Sequence, residues 1–311
     1  MPIDLSCNNG DSIEFEEFVE LLFDNKINPR DQESLATAAP LLKRLANNRT
    51  FLAQTICKEL SDHENMQASN NYSAQAYLLQ EFDRPGQPFF LRACFWPSEQ
   101  DQTLKISGAD TFSYHLPHDH NYNFLTVGYH GPGYRSDYYA YDHNHHDGVP
   151  GEKIPLTFVE RSSLSPGRIL LYRAFTDVHS QLPPESFSIS LNIMENSVVA
   201  AMTDQYVFDI EGGRLQSLVN RTPAVSLFNA AAALGEEAHR DLLRHIARRH
   251  AINRVRLAAL DALAHTAADH HAAIQEWAVV THTDSSFIRS WRARRTAELE
   301  RSAKTAQTAL P

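Results

Sequence analysis

The stretch HLPHDHNYNFLTVGYHG, residues 115–131, joins a histidine cluster to an apolar aromatic run, and its reading decides the fold. Successive side chains of an extended strand alternate faces, so residues two apart project from the same side. On a strand, His118 and His120 therefore converge and Asp119 points away. An isolated pair of this kind also occurs at strand edges without any metal. What gives it weight is His179, which follows GRILLYRAFTDV (167–178), a segment that reads as one strand, a tight turn and the start of the next. Three imidazole nitrogens suit a first-row metal ion. Tyr122 and Phe124 continue the face of His118 and His120, as core residues or as a pocket wall.

The surroundings of this stretch read as β structure from 73 to 219. AQAYLLQEF and PFFLRACFW flank the turn signal DRPGQ and suggest a hairpin. Further short runs follow: YNFLTVGY, SDYYAYD, IPLTFVER, GRILLYR, SFSISLNIM, QYVFDI and GRLQSL, separated by turn clusters such as HGPGY and LPPES. Many short strands without helical patterns between them imply an antiparallel sandwich or barrel. Residues 1–72 read as helices packing on it, with Asp11 and Asp31 as expected N-caps. From 224 to 303 the chain is helical and alanine-rich, ahead of a short tail, 304–311. The expected class is thus α+β multidomain: a central β domain flanked by N-terminal helices and a C-terminal all-α region, either a helical repeat or a bundle.

The central segment resembles the cupin superfamily. The first cupin motif, G(x)5HxH(x)3-4E(x)6G, is met by His118, His120 and Gly131, while Phe112 and Phe124 stand where its glycine and glutamate belong. The second, G(x)5PxG(x)2H(x)3N, is approximated from Gly167; His179 comes one residue late, and Arg173, Phe175 and Pro183 replace its proline, glycine and asparagine. The resemblance implies an antiparallel double-stranded β-helix with His118, His120 and His179 as metal ligands inside the barrel. A set without carboxylate resembles the three-histidine iron centres of cupin thiol dioxygenases, although Phe124 stands at the place of their crosslinked cysteine. Fe(II) is the expected ion by this likeness; Zn, Mn, Ni and Cu remain alternatives by ligand type. A second ligand set is His145, Asp147 and His179, similar to the two-histidine, one-carboxylate triad of 2-oxoglutarate oxygenases, but NHHDGVPGE reads as a loop. Whether 2-oxoglutarate is a co-substrate stays open. AINRVRLAALDALA (251–264) is weakly similar to HEAT-type repeats, which implies a peptide or protein partner on the C-terminal helices.

Other candidate site residues follow from position. Arg173, between the Gly167 strand and His179, is placed to clamp a substrate carboxylate, or else to pair with Asp177; Arg135 and Arg161 are weaker candidates for that role. Gln181 shares the face of His179 and could hydrogen-bond a substrate or cap a turn. Tyr122, with Arg173 and Gln181, is expected to orient the substrate. His115 and His130 read as surface or substrate-contacting residues.

Composition sets the outer limits. A net charge of −10 repels phosphate backbones, so nucleic acid is not an expected partner, and RSWRARR (289–295) does not change that. The 3 cysteines are far apart, which yields neither a disulfide framework nor a thiolate metal motif. No apolar run is long enough for a membrane span and the start of the chain lacks a basic leader pattern, so a cytoplasmic location is expected. The function these features imply is an Fe(II)-dependent oxygenase acting on a small molecule, amino acid or peptide. The alternatives are a non-oxidative metal-dependent isomerase, epimerase or hydrolase, and a non-catalytic binding or scaffold protein.

Overall fold

The computed structural model describes residues 1–62, 74–81, 89–219 and 224–308. Its elements are β1 (Ile3–Asp4), α1 (Phe15–Asp24), α2 (Gln32–Ala36), α3 (Ala39–Asn47), α4 (Phe51–Ser61), β2 (Ala76–Glu81), β3 (Phe89–Trp96), α5 (Gln102–Ser107), β4 (Phe124–His130), β5 (Arg135–Ala140), β6 (Thr157–Ser163), β7 (Ile169–Tyr172), β8 (Asp177–Leu182) and β9 (Ser188–Glu195). After them come α6 (Val198–Ala201), β10 (Gln205–Asp209), β11 (Arg214–Val219), α7 (Ala224–Leu234), α8 (Glu237–Arg249), α9 (Asn253–His265), α10 (His270–Trp277) and α11 (Ser286–Thr308). The chain is mixed α and β with antiparallel sheets, and it divides into two compact units.

The first unit comprises Met1–Tyr141, Pro155–Ala200 and Val207–Gly212. A six-stranded sheet runs β1-β7-β4-β9-β3-β2 and a three-stranded sheet runs β6-β5-β8. The period of two seen in the sequence builds both faces of the larger sheet. On β3, Phe89, Leu91 and Ala93 pack with Phe18, Leu22, Leu42 and Leu45 of the N-terminal helices. Phe90, Cys94 and Trp96 face the other way and pack with Tyr134 and Tyr138 beside and on the smaller sheet. Both faces are therefore covered, each fully buried Leu or Phe contributing about 1.5–3 kcal/mol. Asn48 ties the helices to the sheet: its Nδ2 donates to the Ile13 carbonyl, its Oδ1 accepts from the Phe51 N–H, and its own carbonyl accepts the Tyr129 hydroxyl at 2.9 Å.

Local signals met mixed outcomes. Asp31 caps α2, accepting from the Glu33 N–H at 2.9 Å. Asp11 does not cap α1, which begins at Phe15 with Glu14 in the N-cap position and no side-chain cap. The strands around DRPGQ do pair antiparallel as β2 and β3, while the turn itself, at 83–87, lies outside the described residues. HGPGY makes the tight turn between β4 and β5; Gly133 has φ +83° there, and a Cβ on it would run into the Leu164 backbone.

The second unit comprises Asp142–Ile154, Ala201–Tyr206 and Gly213–Pro311. Its centre is α9, in which Val255, Leu257, Ala258, Ala259, Leu260, Ala262 and Leu263 are all buried. Leu260 and Leu257 pack with Ala247 of α8, Trp277 of α10 and Ile288 and Trp291 of α11, and Leu263 packs with Ala232 of α7 and Leu243 of α8. Among the described residues, no helix is long and apolar enough to cross a membrane.

Candidate metal centre

His118 and His179 sit directly opposite each other in an isolated antiparallel bridge. The His118 N–H donates to the His179 carbonyl at 3.0 Å, and the His179 N–H returns to the His118 carbonyl at 2.9 Å. Residues so paired project to the same side. His120 follows two positions later, and the three ring centroids lie 4.4 Å (118–179), 4.9 Å (118–120) and 5.0 Å (120–179) apart. One ligand nitrogen from each lies within 4.8 Å of the others, and all three residues are buried, so the group could bind a metal ion. Among the described residues, no other group of three His, Cys, Asp or Glu converges in this way.

The convergence does not come from a regular strand, as the spacing suggested. β4 starts only at Phe124, and residues 116–123 form an irregular segment, bridged at His118 and bent at 121–122, that is held by single bridges and by the β7–β8 turn. The Phe175 N–H donates to the His120 carbonyl at 2.7 Å, and the Ala174 N–H to Asn123 Oδ1 at 2.8 Å. Phe175 adopts φ +58°, a conformation a bulky side chain seldom takes, at the turn that delivers β8 and His179. Asp119 points away from the cluster, and its carboxylate accepts the Tyr141 hydroxyl.

Ring orientation and protonation follow from the neighbours. His118 Nδ1 lies 2.7 Å from the Leu116 carbonyl, which only accepts, so Nδ1 carries the proton and the lone pair is on Nε2. His179 is 0% exposed, and burial, aided by the neighbouring His118, holds its ring well below the usual imidazole value. Neither of its ring nitrogens makes a hydrogen bond of good geometry, although the Asp177 carbonyl stands near enough to favour a ring proton. A sealed polar atom left in this state costs about 1–3 kcal/mol. Coordination of a cation relieves that cost for one nitrogen, so the donor set fits a metal ion.

The low protonation tendency of His179 has a testable sign. The unfolded chain takes up a proton near pH 6.5 that the buried ring refuses, so stability of the metal-free protein falls as pH drops below about 6.5, by up to about 1.4 kcal/mol per unit for this group. Urea midpoints at pH 7.5 and 5.5 should therefore differ less for His179→Leu than for the parent chain.

Aromatic rings wall the cluster. The His120 ring lies 4.8 Å from that of Tyr122 and 4.9 Å from that of Phe124, and the His179 ring lies 4.9 Å from that of Tyr172. Phe124 and Tyr172 stack at 4.3 Å. Tyr172 was not anticipated from sequence, although its place closing the apolar run before His179 was a usable signal. Gln181 is buried on β8, two positions beyond His179, and its Oε1 is sealed without a hydrogen-bond partner among the described residues. The β5 register places Tyr138 opposite His179 and Ser136 opposite Gln181.

Arg173 is not placed as a substrate clamp. Its Nε and a terminal nitrogen grip both oxygens of Asp177 at 3.0 and 2.7 Å, and the same terminal nitrogen donates to the Met1 carbonyl. The Asp177 side chain is fully buried, which claims the guanidinium as its counter-charge. Arg161 pairs with Asp137 at the surface, and His115 and His130 are exposed. The alternative triad does not assemble: the His145 side chain is 80% exposed against Asp142, and Asp147 accepts the Ser290 hydroxyl.

No family model matches the chain, and no curated protein matches it. Among solved structures, it is similar to a provisionally assigned mannose-6-phosphate isomerase from Ralstonia eutropha JMP134, at 7% identity over 42% of this chain and 99% of that one, with a TM-score of 0.22. It is also similar to a prolyl 4-hydroxylase from Phytophthora capsici, at 13% identity over 78% of this chain and 82% of that one, again with a TM-score of 0.22. Scores this low do not establish a shared fold, and neither likeness bears on function.

Proposed function

We propose that the first unit is a cupin-type double-stranded β-helix and that the protein is a mononuclear non-haem Fe(II)-dependent oxygenase. The observation that carries this reading is the meeting of three buried imidazoles within 4.8 Å of one another. Imidazole donors suit iron, zinc, copper and nickel alike; iron is chosen because the carboxylate-free set resembles the three-histidine centres of cupin thiol dioxygenases. When bound there, ferrous ion would supply activation of dioxygen for oxidation of an organic substrate, a small molecule, amino acid or peptide.

The chain's own part in that reaction is positioning and exclusion. The Leu116 carbonyl fixes the His118 ring with Nε2 toward the cluster, as the second hydrogen bond of a ligating histidine ordinarily does. Phe124 and Tyr172 would keep bulk water from the cluster, and Tyr122, whose ring lies 4.8 Å from that of His120, and Gln181, two positions beyond His179 on β8, would orient the substrate. With no carboxylate among the three, the site leaves the full charge of a divalent ion to attract an anionic substrate group.

Purification under anaerobic conditions followed by metal analysis tests the reading. About one iron per chain, with ferrous-dependent oxygen uptake on addition of candidate thiols, amino acids and 2-oxo acids, is the expected result. Stoichiometric zinc with no oxygen uptake after iron reconstitution would favour non-oxidative chemistry, and a chain that takes up no metal would leave a binding or scaffold protein.

A further inference from the structure

The interior face of the six-stranded sheet carries a polar row across β3, β9 and β4. Register sets Arg92 of β3 opposite Asn192 of β9, and Asn192 opposite Thr126 of β4. Phe90 and Cys94, which flank Arg92 on alternate positions, and Phe124, two before Thr126, all face the layer between the two sheets. Arg92 and Thr126 share that face by alternation. The row lies one strand step, about 7 Å, from Phe124 and Phe90, and so from the wall of the histidine cluster.

Two of its donors, Arg92 Nε and the Thr126 hydroxyl, meet no acceptor among the described residues. Thr126 is 0% exposed and its hydroxyl has no hydrogen-bond partner among the described residues; the Arg92 Nε is sealed and equally without one among them. Arg92 makes no hydrogen bond or ion pair with any described residue, whereas Arg161, Arg168 and Arg173 each meet a carboxylate. The amide of Asn192 donates to Cys94 Sγ at 3.3 Å, so it does not occupy the guanidinium. The Arg92 side chain is part-buried, with its Nε sealed and no carboxylate of the described residues paired to it. An arginine without an acidic partner is suited to receive an anion as a ligand.

We propose that Arg92 and Thr126 form a subsite between the sheets for the carboxylate of a small organic acid. A planar guanidinium matches a carboxylate by two parallel hydrogen bonds, and the threonine hydroxyl adds a donor. One cation balances one carboxylate and falls short of a phosphate dianion. The subsite goes beyond the oxygenase reading and stands whether or not the histidines hold iron.

Isothermal titration calorimetry on the full chain, stripped of metal with EDTA, tests it with succinate, 2-oxoglutarate and glutamate as probes and succinamide as the neutral control. At least one acid is expected to bind saturably, with affinity falling by about tenfold or more in Arg92→Gln, as loss of a charge-assisted pair implies, and partly recovering in Arg92→Lys. Thr126→Val should weaken the same acid about threefold. The proposal is overturned if none of the acids binds, if succinamide binds as tightly, or if Arg92→Gln binds equally well with an unchanged near-ultraviolet circular dichroism spectrum. If Arg92→Gln does not fold, unchanged affinity in Thr126→Val overturns it. Because no metal is present in the titration, failure here leaves the histidine centre standing, and absence of iron uptake leaves the subsite standing.

Discussion

His179→Ala is expected to weaken metal binding by more than about a hundredfold, beyond the 10–100-fold typical of losing a residue that merely supports a ligand, while the fold survives. The ring is fully buried but makes no hydrogen bond of good geometry, so the metal-free variant loses packing alone. The cost should be about 1–3 kcal/mol, at the low end for a large-to-small core change. Inductively coupled plasma mass spectrometry after dialysis, beside urea unfolding of the stripped protein, reads both effects. The parent should gain stability on adding ferrous ion under anaerobic conditions and the variant should not. His145→Ala is the matched control, since its ring is exposed and paired with Asp142; loss of metal in that variant would contradict the assignment of the centre.

Arg173→Ala is expected to destabilise the protein by about 3 kcal/mol, because it leaves a buried carboxylate without its bidentate partner. Asp177 keeps the Arg173 backbone N–H and the Met1 amine at 3.0 Å, which holds the loss at the lower end of what breaking a buried pair costs. The urea midpoint should fall accordingly, and Asp177→Asn should be similarly unstable. An unchanged midpoint together with weakened substrate binding would restore the clamp role that position alone suggested.

The contrast between these two residues shows where sequence was informative. The histidines were legible because a spacing of two and a strand-turn-strand pattern constrain direction, even though 116–123 proved to be a bridged segment and not a regular strand. Two such constraints meeting at one place left little freedom. Arg173 lies in a turn, where nothing periodic says whether a long side chain faces the interior or folds back four residues onto Asp177. Arg92 went unmarked for a different reason: PFFLRACFW reads as an apolar strand, and only its register against Asn192 and Thr126 shows that the lone cation is on the interior face. The helix start at Phe15 was misplaced because an aspartate preceding a helical run is a common pattern, while the chain turns into α1 only after Glu14.

The burial of α9 limits how the second unit can be shortened. Trp277, Ile288 and Trp291 cover Leu257 and Leu260 from the C-terminal side. A fragment ending after α9 would bare an aliphatic stripe to solvent, so clones stopped near residue 268 should be recovered from inclusion bodies. Boundaries for expression belong beyond α11.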